Sequence, residues 1–175
     1  MQLSNLVALL PLAAATVTGG VLPRDAAPGI YAIKVVNGTD QPAVKVGDLY
    51  YGPVTEITAR GSTLDKRDSN GGTGRSFPNH NDYNICTNTW RNLLQNGGQL
   101  EGKTKYVIRN GVAELVGCNY NGDQWAPPPQ TIDQFNGLMD AIYGAWNTGW
   151  VYSDPYRWTF WRDIYGAENY CANMS

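Results

Sequence analysis

Residues 103–118 leave this chain the least freedom. Two runs rich in β-branched and aromatic residues flank Asn110-Gly111, the dipeptide a type I′ turn prefers because both of its central residues need positive φ. Two-residue closure would pair Ile108 with Ala113 and Tyr106 with Leu115 on one face. Lys105, Val107, Arg109, Glu114 and Val116 then share the other. The first face reads as core and the second, with its charges, as solvated. Counting on places Cys118 on the wetter face, unless Gly117 is a bulge that re-aims it.

The flanking segments have helical spacing. Asp82 or Asn84 can cap a helix running to about Gln95, with Ile85/Cys86, Thr89/Trp90 and Leu93/Leu94 on one stripe and Gly97-Gly98 as the stop. After the hairpin, Pro127-Pro128-Pro129 leads to Thr131, which forms a capping box with Gln134. Ile132, Phe135, Leu138/Met139, Ile142 and Trp146 then make a stripe to Asn147, and Gly149 ends that helix. Residues 150–153 and 156–161 form a second hairpin around Asp154-Pro155. The order helix, hairpin, helix, hairpin predicts an α+β domain. Its small antiparallel sheet of two hairpins carries two helices packed on one face.

Ahead of this lies a part of different composition, set off by Leu64-Asp65-Lys66-Arg67. Small polar residues on either side bury too little to order themselves, so the Lys66-Arg67 pair is expected to be exposed to a processing protease. Residues 1–20 read as a secretory signal peptide cleaved within 15–20. Leu3, Leu6 and Val7 to Leu10 are its apolar run, and Ala13-Ala14-Ala15 supplies the small residues. That run is far short of the ~20 residues that span a bilayer, and no later segment is apolar enough, so no membrane span is expected. Residues 21–67 read as a propeptide with a β-hairpin, 30–36 and 43–51 joined by the turn-rich run from Asn37 to Pro42. Alone such a hairpin is marginal; it leans on the back part or stays partly disordered. Residues 68–175, 108 in all, read as the mature domain, with 68–79 a flexible lead-in. Asn37-Gly38-Thr39 is a glycosylation sequon at a turn; the one at Asn173 sits at the very end and is expected to go unused.

From Asp68 on, seven Lys or Arg stand against ten Asp or Glu, which disfavours nucleic acid or an anionic lipid surface as partner. The three cysteines, Cys86, Cys118 and Cys171, all follow the dibasic pair. An odd count allows one internal disulfide at most. Cys86–Cys118 is preferred because it ties helix to hairpin through the shorter loop. Cys171 is then left over, free in a monomer or bonded in a disulfide-linked dimer. No CxxC or Cys/His spacing suggests a metal, and nothing suggests another cofactor.

No HExxH, GxSxG or phosphate-cradling loop occurs. His80, on the lead-in, lacks a group to orient it as a base. The carboxylates Glu101, Glu114 and Asp123 surround the hairpin, and a glycosidase needs two at the right separation. Arg109 and Glu114, with Tyr106, invite a small ribonuclease reading, although Tyr106 faces away from Glu114; a surface salt bridge is the plainer account. Trp125, Trp150 and Trp161 fall outside core positions and could form a row that stacks on sugar rings or fills a partner's pocket.

Several runs together resemble small secreted precursor proteins of ascomycete fungi. These are Pro28-Gly29-Ile30-Tyr31, the Lys66-Arg67 junction, Gly117-Cys118-Asn119-Tyr120, and Tyr165-Gly166-Ala167-Glu168-Asn169. Leu-Asp-Lys-Arg is similar to sites cut by kexin-type proteases, and the element order loosely resembles killer-toxin-like effector domains. The resemblance implies an extracellular protein acting on a host, a competitor or a cell wall. The resulting expectation is a secreted effector or toxin-like interaction protein without catalytic activity. A small secreted hydrolase acting on RNA or polysaccharide, and a carbohydrate-binding module, stay open beside it.

Overall fold

The computed structural model describes residues 22–53, 69–72, 74–154, 156–165, 170, 171 and 174. The expected signal peptide, the Lys66-Arg67 pair and the Asn173 sequon lie outside the described residues.

Among the described residues ten elements follow one another: β1 (Gly29–Val36), β2 (Thr39–Asp40), β3 (Val44–Gly47), β4 (Ser69–Gly71), α1 (His80–Gln95), β5 (Thr104–Asn110), β6 (Ala113–Asn119), α2 (Thr131–Tyr143), β7 (Gly149–Ser153) and β8 (Trp158–Ile164). The fold is α+β. Its sheet is larger than two hairpins: eight strands in the order β2-β1-β5-β6-β8-β7-β4, with β3 also beside β1, every pairing antiparallel.

The front segment is part of this sheet rather than a separate hairpin. β1 pairs on one edge with β2 and β3, and on the other with β5 through six residue pairs from Gly29↔Arg109 to Lys34↔Thr104. Tyr31, Ile33 and Val35 are buried, Ile33 completely. The composition break at residue 67 is therefore not a break in the fold. The expected flexible lead-in is tied down as well. β4 pairs with β7, the Thr148 amide donates to the Arg75 carbonyl at 2.8 Å while the Arg75 amide donates to the Thr148 hydroxyl at 3.0 Å, and Phe77 is buried.

Two cores flank the sheet. On one side α1 and α2 bury Tyr83, Cys86, Trp90, Phe135 and Met139 against Tyr106, Ile108, Leu115, Val151 and Phe160. The opposite face is not solvated. Leu22, Tyr170, Cys171 and Met174 cover Val107, Val116 and Cys118 there, beside Tyr31, Ile33 and Val35. Every residue of β5 and β6 is consequently buried, and the charges expected in water lie beneath the two ends of the chain.

The hairpin keeps its expected faces but shifts its register. Asn110 pairs with Ala113 and Ile108 with Leu115, so Gly111 and Val112 form the turn. Gly111 alone of the two has positive φ, 51°, the position where a type II′ turn takes glycine. The cause is tertiary. Asp82 of α1 accepts from the Val112 amide at 3.1 Å and from Asn110 Nδ2 at 3.3 Å, and a Cβ on Gly111 would collide with that carboxylate. The turn with positive φ at both central residues is instead Asn37-Gly38, at 50° and 73°, joining β1 to β2.

Helix ends also differ from expectation. Asp82 is engaged with the turn, so Asn79 caps α1, its side chain accepting from the Asn81 amide. Gln130 is the N-cap of α2 and makes no side-chain capping bond, so Thr131 forms no capping box. α2 stops at Tyr143, where Gly144 at φ 88° breaks it before Trp146. Fully buried Arg162 of β8 holds that end, bonding Asp140 at 2.6 Å and the Gly144 carbonyl at 3.0 Å. A cation is favourable at the negative end of a helix dipole.

The disulfide joins Cys118 to Cys171, 53 residues apart with Cα atoms separated by 6.3 Å. Cys86–Cys118 does not form because the sheet lies between them: Cys86 is in the helix-side core and Cys118 in the other. Cys86 is a free thiol at 0 % exposure, and burial pushes its pKa upward. The leftover cysteine is therefore Cys86, not Cys171, and it is sealed away from any second chain.

Candidate functional site

Alternation on β5 and β6 brings Arg109 and Glu114 opposite each other on the face covered by the chain ends. Glu114 is fully buried. Its Oε2 accepts from the Tyr170 hydroxyl at 2.7 Å, while Oε1 has no hydrogen-bond donor among the described residues and lies 3.8 Å from Arg109. Arg109 donates to the carbonyls of Pro23 and Arg24 and sits over the Tyr165 ring at 5.2 Å. Lys105, also buried, pairs with Asp40 at 2.8 Å. On the next strand Asp163 lies beside Glu114 and bonds exposed Arg75 at 3.1 Å.

These groups fasten the ends of the chain to the sheet. Arg109 and Lys105 hold the front segment; Glu114 holds Tyr170. The surface salt bridge and the ribonuclease arrangement expected at Arg109 and Glu114 both give way to this buried clamp, because a substrate cannot reach a carboxylate under Tyr170. Tyr106 is on the helix side, its hydroxyl accepting from the Glu101 amide at 3.3 Å. His80 is exposed at the start of α1, stacked on Trp146 with ring centroids 4.4 Å apart. The sheet separates it from Glu114.

Burial raises the pKa of Glu114 above the ordinary carboxylate range, against the pull of the Tyr170 hydroxyl and Arg109. Burial raises Asp163 too, opposed by the Ile164 amide and Arg75. A carboxyl whose pKa is higher folded than unfolded keeps its proton longer in the fold. Its contribution is greatest below the unfolded pKa and is lost as pH rises through the folded one. Melting temperature is therefore expected to fall as pH rises from the carboxylate range toward neutral. Glu114→Gln should flatten that part of the curve in a thermal scan at stepped pH; an unchanged slope would remove Glu114 as its source.

The tryptophans do not form a row. Trp150 and Trp161 stack on each other at 5.3 Å on the chain-end face. Trp125 stacks on Trp158 at 5.7 Å, 12° from parallel, on the helix side. The pairing of Trp125 with Trp158 escapes sequence reasoning because it depends on a backbone bridge between Trp125 and Leu100, with bonds of 2.8 and 2.9 Å. That bridge pins the Pro-rich loop to the segment between α1 and β5.

Among the described residues, two concave regions stand out. An open, mostly polar trough of about 590 Å³ runs past Lys34, Asn37, Glu101, Lys103 and Asp123. It brings Glu101 and Asp123 to one place. Asn37, the sequon residue, is exposed at its rim. A more enclosed groove of about 420 Å³ lies between the Pro-rich loop, the first turn of α2 and the β7–β8 turn. Trp125, Trp158, Tyr156, Gln130, Thr131 and Gln134 line it, and none of its lining residues is charged. Among the described residues no cluster of His, Cys, Asp or Glu could hold a metal ion, and no helix is long and apolar enough to cross a membrane.

No protein family, curated protein or solved structure matches this chain.

Proposed function

We propose that this chain is a secreted recognition protein without catalytic activity, of the effector or toxin-like kind, with its target on a host, a competitor or a cell wall. The observation that carries this reading is the placement of Arg109 and Glu114. The acid and the cation that the hairpin sets opposite each other are both buried, Arg109 holding the front segment and Glu114 holding Tyr170. The more enclosed of the two described concavities is an uncharged aromatic groove, which suits binding rather than proton transfer. A disulfide belonging to oxidising compartments supports the extracellular setting.

The trough that brings Glu101 and Asp123 together favours a second reading, a small hydrolase. Both carboxylates are exposed there, in a setting that does not exclude water, so preorganised electrostatics would be screened. Incubation with RNA and with polysaccharides is expected to give no turnover above background. Turnover that disappears in Glu101→Gln or Asp123→Asn would overturn the non-catalytic reading in favour of the hydrolase.

A further inference from the structure

We infer that the groove between Trp125, Trp158 and the first turn of α2 is a binding site for neutral saccharides, pyranose rings with mostly equatorial hydroxyls. This names the ligand class of the recognition protein proposed above and rests on that reading.

The platform is built in advance. Phe160 lies in the helix-side core. Trp158 packs edge-on against it at 5.1 Å. Trp125 stacks nearly parallel on Trp158, and its backbone is pinned to Leu100 on both sides. The aromatic surface that this stacked pair leaves to the groove suits the C–H face of a pyranose ring, and because it is already ordered, binding loses little conformational entropy.

Polar groups stand at its edge. Gln130 is the N-cap of α2 yet makes no capping bond with its side chain, so its carboxamide remains for a ligand. Gln134 and Thr131 line the same wall. Carboxamides and hydroxyls both donate and accept, as sugar hydroxyls require. Tyr156 adds a second aromatic surface at the mouth and remains 64 % exposed, so its ring is accessible to a ligand.

Charge decides against the competing occupants. A groove without a charged lining residue has nothing to neutralise a phosphate or a uronate, which excludes acidic polysaccharides and nucleic acid. A proline-rich peptide also docks in aromatic grooves. It is the weaker fit here, because such peptides wedge between separated aromatic side chains, whereas these two indoles stack on each other and leave no slot between them.

The test is titration of the full chain with soluble gluco-oligosaccharides and N-acetylated chito-oligosaccharides, followed by tryptophan fluorescence and calorimetry. One of the two series is expected to bind, Trp125→Ala to weaken it tenfold or more, and Gln134→Ala to weaken it severalfold with melting temperature unchanged. Trp150→Ala, on the other face of the sheet, should bind as the parent does. No binding by either series, equal binding by the Gln134→Ala and parent chains, or preference for a proline-rich peptide would overturn the inference. Failure here with no hydrolytic turnover would leave the recognition reading standing; saccharide turnover dependent on Glu101 or Asp123 would remove that reading while leaving the groove to be judged on its own variants.

Discussion

A chain that begins at Asp68 is expected not to fold by itself, and a full chain cut after Arg67 is expected to keep residues 22–53 bound under native conditions. β1 supplies six residue pairs to β5 and the buried side chains of Tyr31, Ile33 and Val35. Burial of a large apolar side chain contributes roughly 1.5–3 kcal/mol, so three of them rival the ~5–15 kcal/mol that holds a whole domain together. Truncation would also open the paired edge of β5 to solvent, uncover part of Val107 and Val116, and remove Asp40 from Lys105 and the Pro23 and Arg24 carbonyls from Arg109. Cleavage alone would break one peptide bond and none of these contacts. Circular dichroism melts of the full chain and of residues 68–175, with gel filtration of the full chain after treatment with a dibasic-specific protease, would check this. Cooperative melting of 68–175 at the full chain's temperature, or elution of the front as a free peptide, would show the front to be dispensable.

The sequence held a signal for that strand which the dibasic pair obscures. Residues 29–36 carry apolar groups on both parities: Tyr31, Ile33 and Val35 on one, Ile30 and Ala32 on the other. A strand covered on both faces reads this way, whereas an appended hairpin alternates. The same two-sidedness marks β5 and β6. There Lys105, Arg109 and Glu114 pointed to water, because their partners, Asp40, the carbonyls of residues 23 and 24, and Tyr170, come from the ends of the chain. Local pattern reports which residues share a face; it does not report what arrives to cover that face.

Faces were therefore legible where register was not. Period-2 alternation survives a turn displaced by one residue along the hairpin, so Tyr106, Ile108, Ala113 and Leu115 lie in the helix-side core as their spacing requires. What moved the turn, the Asp82 carboxylate, sits 30 residues before the amide it caps. The candidate groove has the same character. Pro127-Pro128-Pro129 and Gln130 announce a loop and a helix start, but the aromatic pair needs Leu100 and Trp125 from two separate loops and Trp158 from β8 brought together.

Loss of the Cys118–Cys171 bond is expected to cost about 4 kcal/mol, the chain-entropy value for a loop of some 50 residues, and so to lower the melting temperature by roughly 10 °C. Cys118→Ala and Cys171→Ala should each have this effect, and the double variant should add little, since either change opens the same loop. Thiol titration of the denatured, unreduced protein separates this pairing from the alternatives. The parent should show one reactive thiol, Cys86→Ala none, and Cys118→Ala two. Two thiols in the Cys86→Ala variant would place the bridge at Cys86 instead. The consequence extends to the buried clamp. Cys171 anchors Tyr170, and the Tyr170 hydroxyl closes over Glu114, so releasing the bond should admit water to that carboxyl and lower its pKa toward the unfolded value. The acid-side stabilisation that Glu114→Gln removes from the parent should then be largely missing from Cys171→Ala already. A stepped-pH melt of the two single variants and their combination would measure that coupling; full additivity would mean that the C-terminal segment stays in place without its disulfide.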